Sequence, residues 1–483
     1  MKVWQNPHRR GVLTGLTILG LAAAGVAAQA DTPSPFVGSF LGTLQVGSVA
    51  LRLKLVIAAD LTAILYSVDQ GNAAIPASTV TIVGQKIDLA FAAVGASFTG
   101  TRNGDHITGT FTQGGRPLPL DFARGDAFAA DPLDGPLTQG NLAALRAKAG
   151  TPALGAAWNR KGQPTKILVD GVRSSDSAVA VTAGDQWHLG SLTKAMTATL
   201  VARCIEAGLL SWTMTIGEVL GAKVPDMNPA YKTVGILHLL SHRGGLQPNI
   251  DLADMRRFSR DALADPRPER LSYAALALRQ APIGPAGAQM AYSNNGYIVV
   301  GAMLEVLTGQ SWENLITERV FQPLQLTSAG FGAPGAPGKR DEPLGHSIAA
   351  DGRRVPAFLG TDSLGMGAVT DNPVALGPAG RVHMSLGDLI TWLEVHRDQP
   401  ADFLTPENWQ ILHTPPFGGN YALGWVALPD GSLWHNGSNT LWYADVLIDF
   451  ADGLVVAATA NDASGLAGGP GKALLSAKRA ALA

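Results

Sequence analysis

Three short stretches of this 483-residue chain carry side chains able to do chemistry together. The first is 188-HLGSLTK-194, where Ser191 precedes Lys194 by three residues. The run 192-LTKAMTATLVARCIEAG-208 reads as a helix, so the ammonium stands one turn along from the hydroxyl, on the same face. A lysine so placed activates a serine by taking its proton, if burial lowers the lysine pKa, or by lowering the pKa of another base. The helix N-terminus adds backbone N–H groups for a developing oxyanion. On its own the pattern describes equally well a serine capping a helix.

The second stretch is 290-MAYSNNGYIVVGAMLEVLTG-309. Tyr292 lies two residues before Asn294, and a polar turn there opens an apolar helix ending at Gly309. A tyrosine beside an ammonium ionises more easily and can serve as a general base. The asparagine carboxamide can orient the lysine and donate to a substrate carbonyl. The plainer alternative is a turn tyrosine with a capping asparagine. The third stretch is 434-WHNGSN-439, where His435 lies on a strand and Gly437 allows close backbone approach to a ligand. The Ser438 N–H could then face that of Ser191 and complete an oxyanion hole. His238 and His242 in 237-LHLLSHRGGL-246 read as packing or structural hydrogen-bonding residues. The chain has no G-x-S-x-G elbow, H-E-x-x-H, zinc-type cysteine cluster, Walker A or dinucleotide glycine pattern. No metal and no cofactor are therefore expected.

The elements that must position these residues fall into two regions. Apolar residues make up 46% of the chain and charged residues 15%, enough for large cores and too apolar for global disorder. Residues 36–123 read as all β: 50-ALRLKLVI-57, 62-TAILYSV-68, 79-TVTIVG-84, 97-SFTGTRNGDHITGTF-111 and 118-LPLDFAR-124, with Asn103-Gly104 as a hairpin signal. Close-spaced short strands predict a small barrel or sandwich over 31–124. It reads as an accessory module, or as one that shapes the cleft or binds a lipid or wall component. The Gly-, Asp- and Pro-rich stretch 125–136 is a linker.

The second region, 137–483, runs helix, two strands, a long helical insert, three strands, helix. The expected result is an α/β (α+β) unit. A five-stranded antiparallel sheet is covered by the terminal helices, and a helical lobe leaves a cleft for a ligand.

At the N-terminus, Lys2, Arg9 and Arg10 precede the apolar run 11-GVLTGLTILGLAAAGVA-27 and 28-AQA-30, the form of a cleaved export signal over residues 1–30. Arg9-Arg10 suits a twin-arginine signal as well as a general secretory one. The expected location is periplasmic or secreted, with no stable membrane insertion after cleavage. Without residues 1–30 the chain holds 33 basic and 38 acidic side chains, a formal charge of −5. That balance gives no reason to expect a nucleic acid partner. The single cysteine, Cys204, excludes an intrachain disulfide and reads as a core thiol.

Together, in this order, the three motifs resemble the serine β-lactamase and penicillin-binding-protein superfamily, and most nearly class C β-lactamases with their esterase and peptidase relatives. The resemblance covers about residues 137–483, including 379-AGRVHMSLGDLITWL-393 and 421-YALGWV-426. It implies a β-lactamase/transpeptidase-like fold, with Ser191 as acylated nucleophile and Lys194 and Tyr292 sharing the base role. Asn294, His435, Gly437 and Ser438 would bind substrate or oxyanion.

Where β-lactam-binding relatives have Lys-Thr-Gly, this chain has His435-Asn436-Gly437. A histidine is largely neutral at pH 7. Losing a charged hydrogen bond to a substrate carboxylate costs about 1.5–3 kcal/mol. The small-molecule substrate is thus expected to be an ester, with a β-lactam, amide or D-Ala-D-Ala peptide as the alternative. A catalytically idle penicillin-binding-type sensor is a third reading.

Overall fold

The computed structural model describes residues 34–46, 49–68, 73–113, 115–129, 132–349, 351–357, 371–463 and 469–483. The export signal read at 1–30 lies outside them. Nine antiparallel strands between Gly38 and Arg124 form one sheet. Each strand pairs with the next in sequence except the fourth and fifth, and the first, Gly38–Val46, also pairs with the ninth, Arg116–Arg124. This order curls the meander into a barrel-like unit. Strand Ala96–Asn103 alternates buried and exposed residues, the pattern of one face on a core. Its partner begins at His106, so the hairpin loop is Gly104-Asp105. Phe36, Phe40, Phe91, Phe98 and Phe122 are fully buried inside, and the Phe98 and Phe122 rings meet edge to face at 5.3 Å.

Beyond residue 136 the sheet runs through six strands. They are β1 (Ala153–Arg160), β2 (Lys166–Gly171), β3 (Val426–Ala427), β4 (Leu433–Ser438), β5 (Tyr443–Asp449) and β6 (Leu454–Ala460), in the order β2-β1-β6-β5-β4-β3. All neighbours are antiparallel. The five expected strands are joined by a two-residue sixth, β3, at the edge beside β4.

Helix α1 (Gln139–Ala149) starts where Thr138 accepts the Asn141 N–H at 3.2 Å and ends at left-handed Gly150. With α5 (Gly469–Leu482) it covers one sheet face through Leu142, Leu145, Leu474 and Ala477. The terminal helices do not cover the sheet alone. The second face packs on Leu389 and Leu393 of α4 (Leu386–Asp398), with Trp187, and on the helical lobe. Every residue of β5 and β6 is therefore buried.

Helix α2 (Thr193–Glu206) runs through the middle of the lobe and is buried on nearly all sides. Cys204 lies within it, free and fully buried, its thiol pushed up to about 11 by burial. Among the described residues no helix is long and apolar enough to cross a membrane.

Candidate active site

The short strand Gln186–His188 delivers the chain into a tight turn at Gly190–Leu192, from which α2 departs. Gly190 has φ +51, and the strand β4 passes against the turn. An ideal Cβ on Gly437 would lie 2.0 Å from the Leu189 carbonyl oxygen and 2.6 Å from the Ser191 nitrogen. One on Gly190 would lie 2.3 Å from the Ser438 nitrogen. Two glycines thus let turn and strand touch, with the Ser191 and Ser438 nitrogens at the contact. This is the pair of N–H groups expected to flank an oxyanion.

Lys194 is fully buried. Its Nζ lies 3.0 Å from Ser191 Oγ, 2.8 Å from Asn294 Oδ1 and 2.6 Å from the Ala379 carbonyl oxygen. The Tyr292 and Tyr297 rings stand 4.8 and 5.6 Å from it. Among the described ion pairs none involves Lys194. Burial therefore holds its pKa well below the usual lysine range. A free amine has two N–H donors and one lone pair. In that form the Ala379 carbonyl and Asn294 Oδ1 take the donors and the lone pair is left for the Ser191 O–H, whereas an ammonium donates to all three oxygens.

Asn294 opens helix α3 (Asn294–Thr308), whose cap Ser293 accepts the Gly296 N–H. Its Nδ2 donates to Asn249 Oδ1 at 2.9 Å. Tyr292, just before the cap, is 37% exposed at the cleft rim, while its hydroxyl is turned inward toward Ser191. Crowding around that hydroxyl raises its pKa, and the Ser191 interaction lowers it less. Against the easier ionisation expected from a neighbouring ammonium, desolvation of the phenolate is the largest influence on this hydroxyl and acts upward.

His435 is buried, with Nε2 2.9 Å from the Tyr421 hydroxyl and Nδ1 on the Asn436 carbonyl. The carbonyl fixes the proton on Nδ1, so Nε2 accepts from Tyr421. Burial, with the Lys194 charge second, brings its pKa down to about 4. Both ring nitrogens are occupied, so the imidazole is neutral and has no N–H to spare for a substrate.

Sequence reasoning missed four members of this cluster. Tyr421 lies in a stretch singled out only as a landmark, and the Ala379 carbonyl has no side-chain signature. Asn249 stands 45 residues from its partner. His242, read as structural, does accept the Ser293 N–H at 3.1 Å, but its ring also packs on Tyr292 and Tyr421 at 4.2 and 4.6 Å. His242 has a non-glycine φ of +58, as Thr440 at the cavity lining has +76, and no residue pattern announces either.

Two cavities of about 350 Å³ meet at Ser191 and Ser438. The first is lined by Ile250, Leu252, Met255 and Leu376 with Asn249 and Asn294. The second is lined by Met290, Tyr292, Val426, Trp434 and His435. Neither lining includes a lysine or an arginine among the described residues.

The Ala379 carbonyl is held from behind. Arg270, fully buried, donates to the Val374 and Ala375 carbonyls and pairs with Glu305 and Glu313, while Thr197 donates to the Pro378 carbonyl at 2.8 Å. Burial pushes the Glu305 carboxyl up to about 7 against the pull of Arg270. Arg270→Met strands two acids and is expected to cost about 3–5 kcal/mol, read as a lower urea midpoint.

The beta-lactamase family model matches residues 138–481. Penicillin-binding protein 4 of Amycolatopsis lactamdurans is 31% identical over 252 residues, which are 51% of this chain and 58% of that protein. The match thus spans under two thirds of that relative. Among solved structures, the penicillin binding protein from Bacillus halodurans superposes with a TM-score of 0.56 at 19% identity, covering 70% of this chain and 98% of that one. D-amino acid amidase from Ochrobactrum anthropi SV3 superposes at 0.54 and 19%, covering 67% and 90%. At these identities the likeness is one of fold. The model match, which takes in all three motif stretches and the whole of the six-stranded sheet, places the chain in the beta-lactamase family, within the superfamily of serine hydrolases that includes the penicillin-binding proteins.

Proposed function

We propose that the chain is an exported serine hydrolase that works through an acyl-enzyme and prefers esters. The observation that carries the mechanism is Lys194, buried, in no ion pair among the described residues, and 3.0 Å from Ser191 Oγ. As the free amine, Lys194 takes the Ser191 proton while Oγ attacks the substrate carbonyl carbon. The oxyanion is held by the Ser191 and Ser438 N–H groups. Tyr292, whose raised pKa keeps its proton at neutral pH, relays a proton from Lys194 to the departing alkoxide. Asn294 and Gly437 hold substrate beside the acyl bond. Water then repeats the attack, its proton passing to Lys194 and from there to Ser191 Oγ as that atom leaves, which restores the serine and the free amine. Residues 1–30 support export, and the barrel-like unit supports an accessory role outside this chemistry.

The ester preference rests on the missing cation. Neutral His435 has no free N–H, and among the described residues no lysine or arginine lines either cavity, so a substrate carboxylate meets no cation there. Amide hydrolysis is the second reading, favoured by the likeness to a D-amino acid amidase and to penicillin-binding proteins.

Purified protein given a p-nitrophenyl ester, nitrocefin and a D-Ala-D-Ala peptide, with Ser191→Ala as the blank, separates these readings. The ester is expected to be turned over at least about tenfold faster, by kcat/KM, than either carboxylate-bearing substrate. Turnover of nitrocefin or the peptide alone overturns the ester preference. An unreactive protein that still binds penicillin favours the sensor.

A further inference from the structure

We infer that Asn249 is a positioning residue: by accepting the Asn294 Nδ2–H it keeps the Asn294 carboxamide oxygen on Lys194, and so aims the lysine lone pair at Ser191. The inference rests on the proposed role of Lys194 as base.

The Asn294 carboxamide has two ends. With Oδ1 on Lys194 at 2.8 Å, as here, it takes one lysine N–H and the Ala379 carbonyl takes the other. The lone pair remains for the Ser191 O–H. If the carboxamide turned over, its NH₂ would face the amine and could only donate. The lone pair of Lys194 would then be spent on Asn294, and the amine would no longer be a base toward Ser191. What distinguishes the two states is the far end of the carboxamide. Nδ2 there meets Asn249 Oδ1 at 2.9 Å.

Asn249 is itself held in register. The segment before it is strapped to the start of α3, because the Pro248 carbonyl accepts the Asn294 N–H at 2.9 Å and the Gln247 carbonyl accepts the Ser293 hydroxyl at 2.6 Å. Asn249 is exposed and lines the cavity at Ser191. Its substitution therefore leaves no buried gap.

The groups that face Lys194 are the hydroxyl of Ser191, the rings of Tyr292 and Tyr297, and the imidazoles of His242 and His435. None of them supplies a negative charge at neutral pH. A carboxylate introduced at 249 would stand two hydrogen bonds from the amine.

Two variants test this through the pH profile of kcat on a soluble p-nitrophenyl ester. Asn249→Leu lacks the acceptor, and is expected to lower the plateau by about 10²-fold at every pH, with no recovery in alkali. Asn249→Asp keeps an acceptor-only partner and adds a charge that favours the ammonium. Its acidic limb is expected to move to higher pH, with the alkaline plateau restored to within about threefold of the parent. A parent-like plateau in Asn249→Leu overturns the inference. So does an Asn249→Asp variant as inactive as Asn249→Leu throughout. Either failure leaves the acyl-enzyme reading in place if Ser191→Ala remains inactive, whereas an active Ser191→Ala removes that reading itself.

Discussion

Ser191→Ala and Lys194→Met are each expected to lower kcat/KM for an ester by about 10⁴–10⁶-fold, and the double variant by hardly more than either alone. The nucleophile and its base act as one unit, so removing either leaves only binding and the oxyanion donors. Lys194→Met also separates the base from the fold, since methionine matches the stem of lysine in a fully buried site.

The parent's kcat/KM is expected to rise with pH through the depressed pKa of Lys194, because only the free amine accepts the serine proton. Stability carries the same signature. In the folded chain the amine pKa is lowered, and in the unfolded chain it is about 10.4. Between the two the unfolded state binds the extra proton, so the parent gains stability on the Met variant as pH rises, up to about 10.4. Urea titrations of both proteins at several pH values check the slope. A difference that is flat with pH means that the folded lysine titrates normally, and the base assignment falls with it.

Gly437→Ala is expected to remove at least about 10²–10³-fold of kcat, the range for losing an oxyanion donor. The added methyl meets backbone on the far side, the Leu189 carbonyl at 2.0 Å and the Ser191 nitrogen at 2.6 Å, so no rotamer relieves it. Strand β4 and the Ser191 turn must part, and the two N–H groups part with them. Gly140→Ala is the control, since only the Thr138 hydroxyl lies within 4 Å of its Cβ position and α1 is a helix. That control is expected to leave activity unchanged. If Gly437→Ala retains parent kcat, the oxyanion site lies elsewhere.

Much of this site was legible because its parts are local. Ser191 and Lys194 sit one turn apart, Tyr292 and Asn294 flank one cap, and Gly437 follows His435 on one strand. The parts that escaped are non-local or lack a side-chain signature. The Ala379 carbonyl is backbone, and Asn249 acts through a second residue. Tyr421 reaches His435 across 14 residues and a change of strand. In the barrel-like unit five β runs were readable where nine strands form. Strands such as Gly38–Val46 and Ala73–Pro76 are paired without a run of β-branched residues to announce them.

The pairing of β1 with β6 sets an order in time. Leu154 lies opposite Ala460, so the strand that opens the large sheet has no permanent neighbour on that side until nearly the whole chain has left the ribosome. The nine-stranded unit joins its two halves through pairs such as Phe40 with Arg124, and is complete some three hundred residues of synthesis earlier. For most of its elongation the polypeptide is a finished barrel-like unit trailing an open β edge, a template for wrong pairing. A chain stopped before residue 454 is thus expected to need a holding chaperone and to aggregate without one.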